Sequence, residues 1–471
     1  MAYRICPYPP PVSFSFSFPF SFSFSSVSAP LSPQSLRPSA PPPLRPFPAS
    51  RARATMTEPY KIPEYMGDGP RRFHVMIKPT GSTCNLDCAY CYYLSKEPLV
   101  GSVGRMDDAI MESFIKQYID ENDGKEVVFS WQGGEPTLLG LDYFKKALEI
   151  QRHYAKPGQT IENDLQTNGT LLTDEWCAFL SEHRFLVGLS VDGPPDLHDH
   201  FRISKGGNPS CEQVLQAAKL LHKHRTPFNT LTVLHRENAR HPQRVYRFLR
   251  DEIGSTRMQF IPIVEHRDFK TVAPGSWAAE RMPRIGESQA RPGKPGSMVT
   301  DWSVDPVDFG NFMNGVFDEW YAKDVGNTFV YLFESAFAQW MGGPAGICVF
   351  APICGKNVVL ERDGAVYSCD HYVYPNHRIG NITEQSLTEQ IFSPRQYTFG
   401  VSKNTALPRQ CRACKHLHLC NGECPKNRFI RSADGEPGLN YLCAGLTRYF
   451  DHISPFLDDM ATRFRQGKPV K

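Results

Sequence analysis

The chain has 471 residues, too many for one ordinary compact domain unless that domain is barrel-like, and its net charge is only +3. Lys, Arg, Asp and Glu are interspersed rather than blocked, which argues against a nucleic-acid stripe or polybasic membrane patch, and no apolar run approaches the roughly 18 residues of a spanning helix. Fourteen cysteines, several at C-x2-C and C-x3-C spacings, favour metal ligation in a reducing compartment over a secreted disulfide framework.

Residues 1–57 hold no Asp or Glu, carry Arg4, Arg37, Arg45, Arg51 and Arg53, and are dominated by Ser, Pro and Phe. Such a stretch builds no packed core, so residues 1–65 read as a disordered extension or a misassigned start ahead of Met56, before they read as a transit peptide. Cytoplasmic location is expected, with organellar import through the leader as the alternative.

From residue 72 onward, strand-like apolar runs at 73–77, 127–131, 161–166, 186–191, 228–234 and 258–264 alternate with helical patterns at 107–118, 141–153, 174–182, 211–224 and 242–251. This α/β alternation predicts a parallel sheet whose chemistry gathers at the carboxyl ends of the strands. A stretch rich in Gly, Pro, Arg and Ser at 266–300 reads as an insertion or lid, and helices are expected at 306–323 and 328–341. Eight cysteines then crowd the last hundred or so positions, which predicts a second, metal-dependent module at 343–471. The domain plan is thus an α/β domain at 66–305, a helical connector at 306–342 and the cysteine-rich module.

Three cysteines spaced C-x3-C-x2-C, at Cys84, Cys88 and Cys91, follow the first strand. A [4Fe-4S] cube needs four ligands, so three thiolates leave one iron open. An open iron can chelate the amino and carboxylate groups of S-adenosylmethionine (SAM) and deliver one electron into its C–S bond. A structural zinc loop is the competing reading, although zinc more often uses C-x2-C pairs. Tyr90, inside the triplet, offers an aromatic surface suited to adenine. Gln132-Gly-Gly134-Glu-Pro closes the second strand with backbone that a ligand can approach closely. Gln166-Thr-Asn-Gly ends the third, and Ser190-Val-Asp-Gly-Pro the fourth. Ser190 is placed to reach the SAM carboxylate or ribose, and the planar fork of Arg202 is a candidate for the carboxylate.

The remaining cysteines are Cys348, Cys354, Cys369, Cys411, Cys414, Cys420, Cys424 and Cys443, two complete sets of four if they bind clusters. Two four-cysteine zinc sites are the alternative. Cys6, Cys177 and Cys211 are left over as ordinary thiols. Asp370, next to Cys369, is either a general base held beside a metal centre or a turn residue.

Taken together these motifs resemble the radical SAM superfamily with a SPASM extension. Cys-Asn-Leu-Asp-Cys-Ala-Tyr-Cys-Tyr-Tyr, Trp-Gln-Gly-Gly-Glu-Pro-Thr-Leu, Trp302-Ser-Val-Asp-Pro306 and Cys411-Arg-Ala-Cys-x5-Cys-Asn-Gly-Glu-Cys-Pro most resemble the anaerobic sulfatase-maturating enzymes. The resemblance implies a partial (β/α)6 barrel, three [4Fe-4S] clusters and SAM. It also implies oxidation of a Cys or Ser side chain of a sulfatase, in a Cys/Ser-x-Pro/Ala-x-Arg segment, to Cα-formylglycine. Carried onto matching positions, it assigns Cys348, Cys354, Cys369 and Cys424 to one auxiliary cluster and Cys411, Cys414, Cys420 and Cys443 to the other. Asp370 becomes the proton acceptor. Tyr90, Gly134, Ser190, Arg202 and Val264 surround SAM, while Tyr93 and Gln132 face the peptide. A flavodoxin- or ferredoxin-like electron donor and a monomeric state are expected, with no nucleic-acid or membrane partner. Another SPASM peptide maturase and a non-catalytic zinc-binding module are the competing readings.

Overall fold

The computed structural model describes residues 69–100 and 104–471, apart from the Val100 side chain. The expected N-terminal extension and Cys6 lie outside the described residues.

The expected strands form in chain order as β1 (His74–Lys78), β2 (Glu126–Trp131), β3 (Thr160–Thr167), β4 (Leu186–Ser190), β5 (Phe228–Leu234) and β6 (Arg257–Pro262). Each pairs in parallel with the next. β1 is buried along its whole length, as a strand covered on both faces should be. Parallel neighbours require crossovers, which the helices Asp108–Glu121, Leu141–Tyr154, Asp174–Glu182, Cys211–Lys223 and Pro242–Arg247 provide. Their starts are chemically marked. Asp107 accepts a hydrogen bond from the Ile110 amide and Thr173 one from the Trp176 amide, filling donors that the first turn leaves orphaned. Because all six strands run the same way, their carboxyl ends share one rim.

Tertiary pairing adds what local pattern did not reveal. The sheet has ten strands in the order β10-β9-β8-β1-β2-β3-β4-β5-β6-β7, with β7 (Phe329–Val330), β8 (Asn357–Glu361), β9 (Ala365–Tyr367) and β10 (Arg378–Asn381) joining at its two edges. The expected helix at 328–341 therefore begins only at Tyr331, because Phe329 and Val330 pair with the edge of β6. β8 lies parallel to β1 with Lys78 opposite Glu361, so the cysteine-rich segment continues the sheet rather than merely packing beside it. The helix expected at 242–251 is α-helical to Arg247 and then opens into a π turn, Phe248–Glu252.

Helices Pro306–Lys323 and Cys443–Arg465 cross at a pair of glycines. A Cβ on Gly445 would stand 2.0 Å from the Pro306 carbonyl oxygen, and one on Gly310 would stand 2.7 Å from the Gly445 carbonyl oxygen. Only glycine permits that approach. The 266–300 stretch is anchored: the Ile285 amide donates to the Arg431 carbonyl at 2.9 Å and the Arg431 amide to the Pro283 carbonyl at 2.8 Å, while Trp277 stacks on His266 and meets Phe429 edge-on. Among the described residues no helix is long and apolar enough to cross a membrane.

Candidate active site

At the rim of the sheet the cysteine loop borders a pocket that is open to solvent. Cys84, Cys88 and Cys91 line it together with Gly134, Ser190 and Arg202. The loop is clamped from below. Gly134 donates its amide to the Gly81 carbonyl at 2.8 Å and Glu135 to the Thr83 carbonyl at 2.9 Å. A Cβ on Gly134 would fall 1.9 Å from that Thr83 oxygen, so this glycine is required by the backbone of the cysteine loop itself. Glu135, fully buried, accepts from the amide and hydroxyl of Thr137, the hydroxyl of Thr167 and the amide of Asn168. Burial raises its carboxyl, and these donors act against that rise. Gly-Gly-Glu-Pro is thus a knot joining the cysteine loop to the ends of β2 and β3.

One wall of the pocket is organised by Asp192. Arg202 meets this carboxylate through Nε at 2.9 Å and Nη2 at 3.2 Å, the Val233 amide donates to it at 2.9 Å, and the Tyr90 hydroxyl donates to it as well. Burial would raise the Asp192 carboxyl, but Arg202 and the nearby histidines outweigh it and hold it low. The fork of Arg202, expected to be open for a ligand carboxylate, is therefore already spent on a protein carboxylate. Asp192 is a residue that sequence reasoning passed over. The signal was present in Ser190-Val-Asp192, whose alternation puts both polar residues on one face of the chain.

The opposite wall carries Lys78, Tyr92, Tyr93 and Gln132. Asp370 lies behind them, 3% exposed, with Lys78 Nζ 2.8 Å from Oδ1 and the Tyr92 hydroxyl donating to Oδ2. Burial alone would raise this carboxyl; Lys78, His371 and the two hydrogen bonds hold it well below the usual carboxylate range. The Tyr93 hydroxyl donates instead to Glu361, which burial pushes up to about 7. The tyrosine touching Asp370 is thus Tyr92, while Tyr93, expected on the peptide side, lines the pocket with its hydroxyl held by Glu361. Gln132 Nε2, Gln166 Oε1 and Trp302 Nε1 are buried without a protein partner, as polar groups awaiting a ligand would be.

Of the residues expected around SAM and the peptide, Val264 alone does not bring its side chain to the pocket, and the expected proton acceptor Asp370 stands behind the wall rather than lining it. Val264 joins the main core, and its carbonyl accepts from Lys426 at 2.5 Å. Ile263, of opposite parity, packs with Tyr90 and Val233, because successive side chains of an extended chain point to opposite faces.

The eight C-terminal cysteines fall into two groups. Burial raises Cys369 far above the usual thiol range, and Cys424, Cys348 and Cys354 add to that rise, so these four share one neighbourhood. Cys411, Cys414, Cys420 and Cys443 line a second pocket, where burial and neighbouring thiols push Cys443 up to about 12. Crowding buried thiols is unfavourable unless a cation neutralises them, which fits an iron–sulfur cluster as occupant. Among the described residues no three His, Cys, Asp or Glu side chains are grouped so as to hold a metal ion. Cys177 and Cys211 are buried in the core on helices.

The family model for the radical SAM superfamily matches residues 79–249, and that for an iron-sulfur cluster-binding domain matches 348–415. The serine-type anaerobic sulfatase-maturating enzyme of Bacteroides thetaiotaomicron is 45% identical over 414 residues, covering 87% of this chain and 94% of the relative. The cysteine-type enzyme of Clostridium perfringens is 32% identical over 395 residues, covering 83% and 99%. A solved structure, native anSMEcpe with bound AdoMet and Cp18Cys peptide, superposes with a TM-score of 0.71 at 32% identity, covering 84% of this chain and 100% of that one.

Sheet, cysteine grouping and these matches put the chain among the radical SAM enzymes, as a protein-modifying oxidoreductase that uses SAM and iron–sulfur clusters. Within that class it belongs to the anaerobic sulfatase-maturating enzymes.

Proposed function

We propose that this enzyme oxidises a Ser or Cys side chain in a sulfatase Cys/Ser-x-Pro/Ala-x-Arg segment to Cα-formylglycine, with Asp370 as proton acceptor. Cys84, Cys88 and Cys91 would hold the SAM cluster; Cys348, Cys354, Cys369 and Cys424 one auxiliary cluster; and Cys411, Cys414, Cys420 and Cys443 the other. When bound, these groups supply a 5′-deoxyadenosyl radical that removes one Cβ hydrogen and a route out for the surplus electron. Tyr90, Gly134, Ser190 and Arg202 form the SAM side, with the Val264 region beneath it. Gln132 and Tyr93 form the peptide side.

The observation that carries this reading is an unequal filling of two buried carboxylates. An ionised carboxylate offers about four acceptor positions. Asp192 has a donor for each, two from Arg202, one from Val233 and one from Tyr90. Asp370 accepts one hydrogen bond, from Tyr92, and has Lys78 beside Oδ1 as an ion-pair partner, and it keeps the other positions for a substrate hydroxyl or thiol. An ionised, anchored and unsaturated carboxylate beside the radical pocket is what proton acceptance needs.

The reading extends to a flavodoxin- or ferredoxin-like donor, a monomer, and a reducing compartment such as the cytoplasm, where thiolate ligation of clusters is favoured over disulfide formation. Anaerobically reconstituted protein, incubated with SAM, reductant and a Ser- or Cys-containing sulfatase peptide, should yield an aldehyde that hydrazine reagents capture. SAM cleavage with no aldehyde from either peptide would overturn the assignment.

A further inference from the structure

Lys78 is the last residue of β1 and is 3% exposed. A buried ammonium is costly unless something demands it there. Here it stands opposite Glu361 in the β1–β8 register, lies over the Tyr93 ring at 4.4 Å from the centroid, and ends 2.8 Å from Asp370 Oδ1. Tyr93 is itself tied to Glu361, so the aromatic face that guides the ammonium is fixed in turn. Tyr92, from the cysteine loop, takes the other oxygen of Asp370. One carboxylate is therefore anchored at both oxygens from two separate elements, the first strand and the cluster loop. Two anchors on opposite oxygens determine the plane of a carboxylate, and hence the direction of its open lone pairs.

We infer that Lys78 is a positioning residue that aims Asp370 at the substrate, so that hydrogen abstraction and proton removal remain coupled. The inference rests on the reading of Asp370 as proton acceptor. Lys78 acts through that carboxylate; an ammonium has three donors but no acceptor, and cannot take the proton itself. If Asp370 rotates, the substrate radical still forms but its hydroxyl or thiol proton leaves slowly. SAM is then consumed without a matching yield of aldehyde.

The test uses the reconstituted holoenzyme and a Ser-containing sulfatase peptide. It reads aldehyde formed per 5′-deoxyadenosine released, peptide affinity, and iron content. Lys78→Met should lower the aldehyde ratio by about tenfold or more, with iron and peptide affinity unchanged, and Lys78→Arg should recover most of it. In an Asp370→Asn background, Lys78→Met should add less than about twofold, because two residues acting through one group are not additive. A wild-type ratio in Lys78→Met, or multiplicative losses in the double variant, would overturn the inference. So would parallel loss of SAM cleavage, aldehyde and iron in both the Met and Arg variants, the mark of a purely structural ion pair. Asp370→Asn separates the two levels of argument. A wild-type ratio there sinks the proton-acceptor reading, whereas a lowered ratio there beside a normal one in Lys78→Met sinks only the role of Lys78.

Discussion

The two walls of the pocket are built on the same plan with opposite outcomes. Tyr90 and Tyr92 flank Cys91, and each donates its hydroxyl to a buried carboxylate, Asp192 on one side and Asp370 on the other. Each carboxylate also faces a buried cation. The difference lies in which cation. Arg202 grips Asp192 with two parallel N–H groups, and together with Val233 and Tyr90 it saturates the acceptor. Lys78 meets Asp370 as a point charge and leaves it open. Guanidinium and ammonium are not interchangeable, and here the choice separates a structural carboxylate from one able to take a proton.

That contrast can be broken in several ways. The largest effect is expected at Asp370. Asp370→Asn should reduce aldehyde formation by about 10²–10⁴-fold while 5′-deoxyadenosine still appears, measured as the ratio of the two products. Asp192→Asn should act differently, leaving Arg202 buried beside a neutral amide. A loss of about 3 kcal/mol or more in folding stability is expected, read from denaturant midpoints, with aldehyde and 5′-deoxyadenosine falling together. If Asp192→Asn were as stable as the wild type and uncoupled, the distinction between the walls would collapse.

A pH measurement sharpens the Asp370 side. Burial raises Glu361 to about 7 from an ordinary value of 4.5, with Tyr93 and Lys78 acting against the rise. The folded protein therefore binds this proton more tightly than the unfolded chain does. The stabilisation is complete below about pH 4.5 and lost as pH climbs through about 7, up to about 3 kcal/mol. Glu361→Gln should flatten that part of the stability profile in chemical denaturation; an unchanged slope would mean that Glu361 titrates normally.

The smallest effects belong to the tyrosines. Tyr92→Phe and Tyr90→Phe each remove one donor to a charged group, worth about 1.5–3 kcal/mol. The first should appear mainly in the aldehyde ratio and the second mainly in SAM affinity. Equal effects of both on both readouts would erase the comparison.

Much of this was legible in the chain. The strand runs from 73 to 262 form within two residues of their expected bounds and the helices between them start within one, because apolar periodicity and capping are local properties, although the first helix runs three residues further, to Glu121, and the last is α-helical only to Arg247. Edge strand β7 was missed, since two residues carry no period. The continuation of the sheet through β8 was missed because its partner, β1, lies about 280 residues earlier in the chain.

Cysteine spacing alone identified which residues are ligand candidates, since thiol chemistry and loop length are written in the covalent chain. The placement of Asp370 beside Cys369 was equally plain. What the sequence left open was which charges face one another. Asp192 finds Arg202 ten residues away, but Asp370 finds Tyr92 and Lys78 across nearly 280 and 292 positions. Those pairings exist only because β8 docks parallel to β1 and carries the C-terminal carboxylate to the first strand. Residue identity determined the available chemistry; tertiary register decided which carboxylate was filled and which was left open to react.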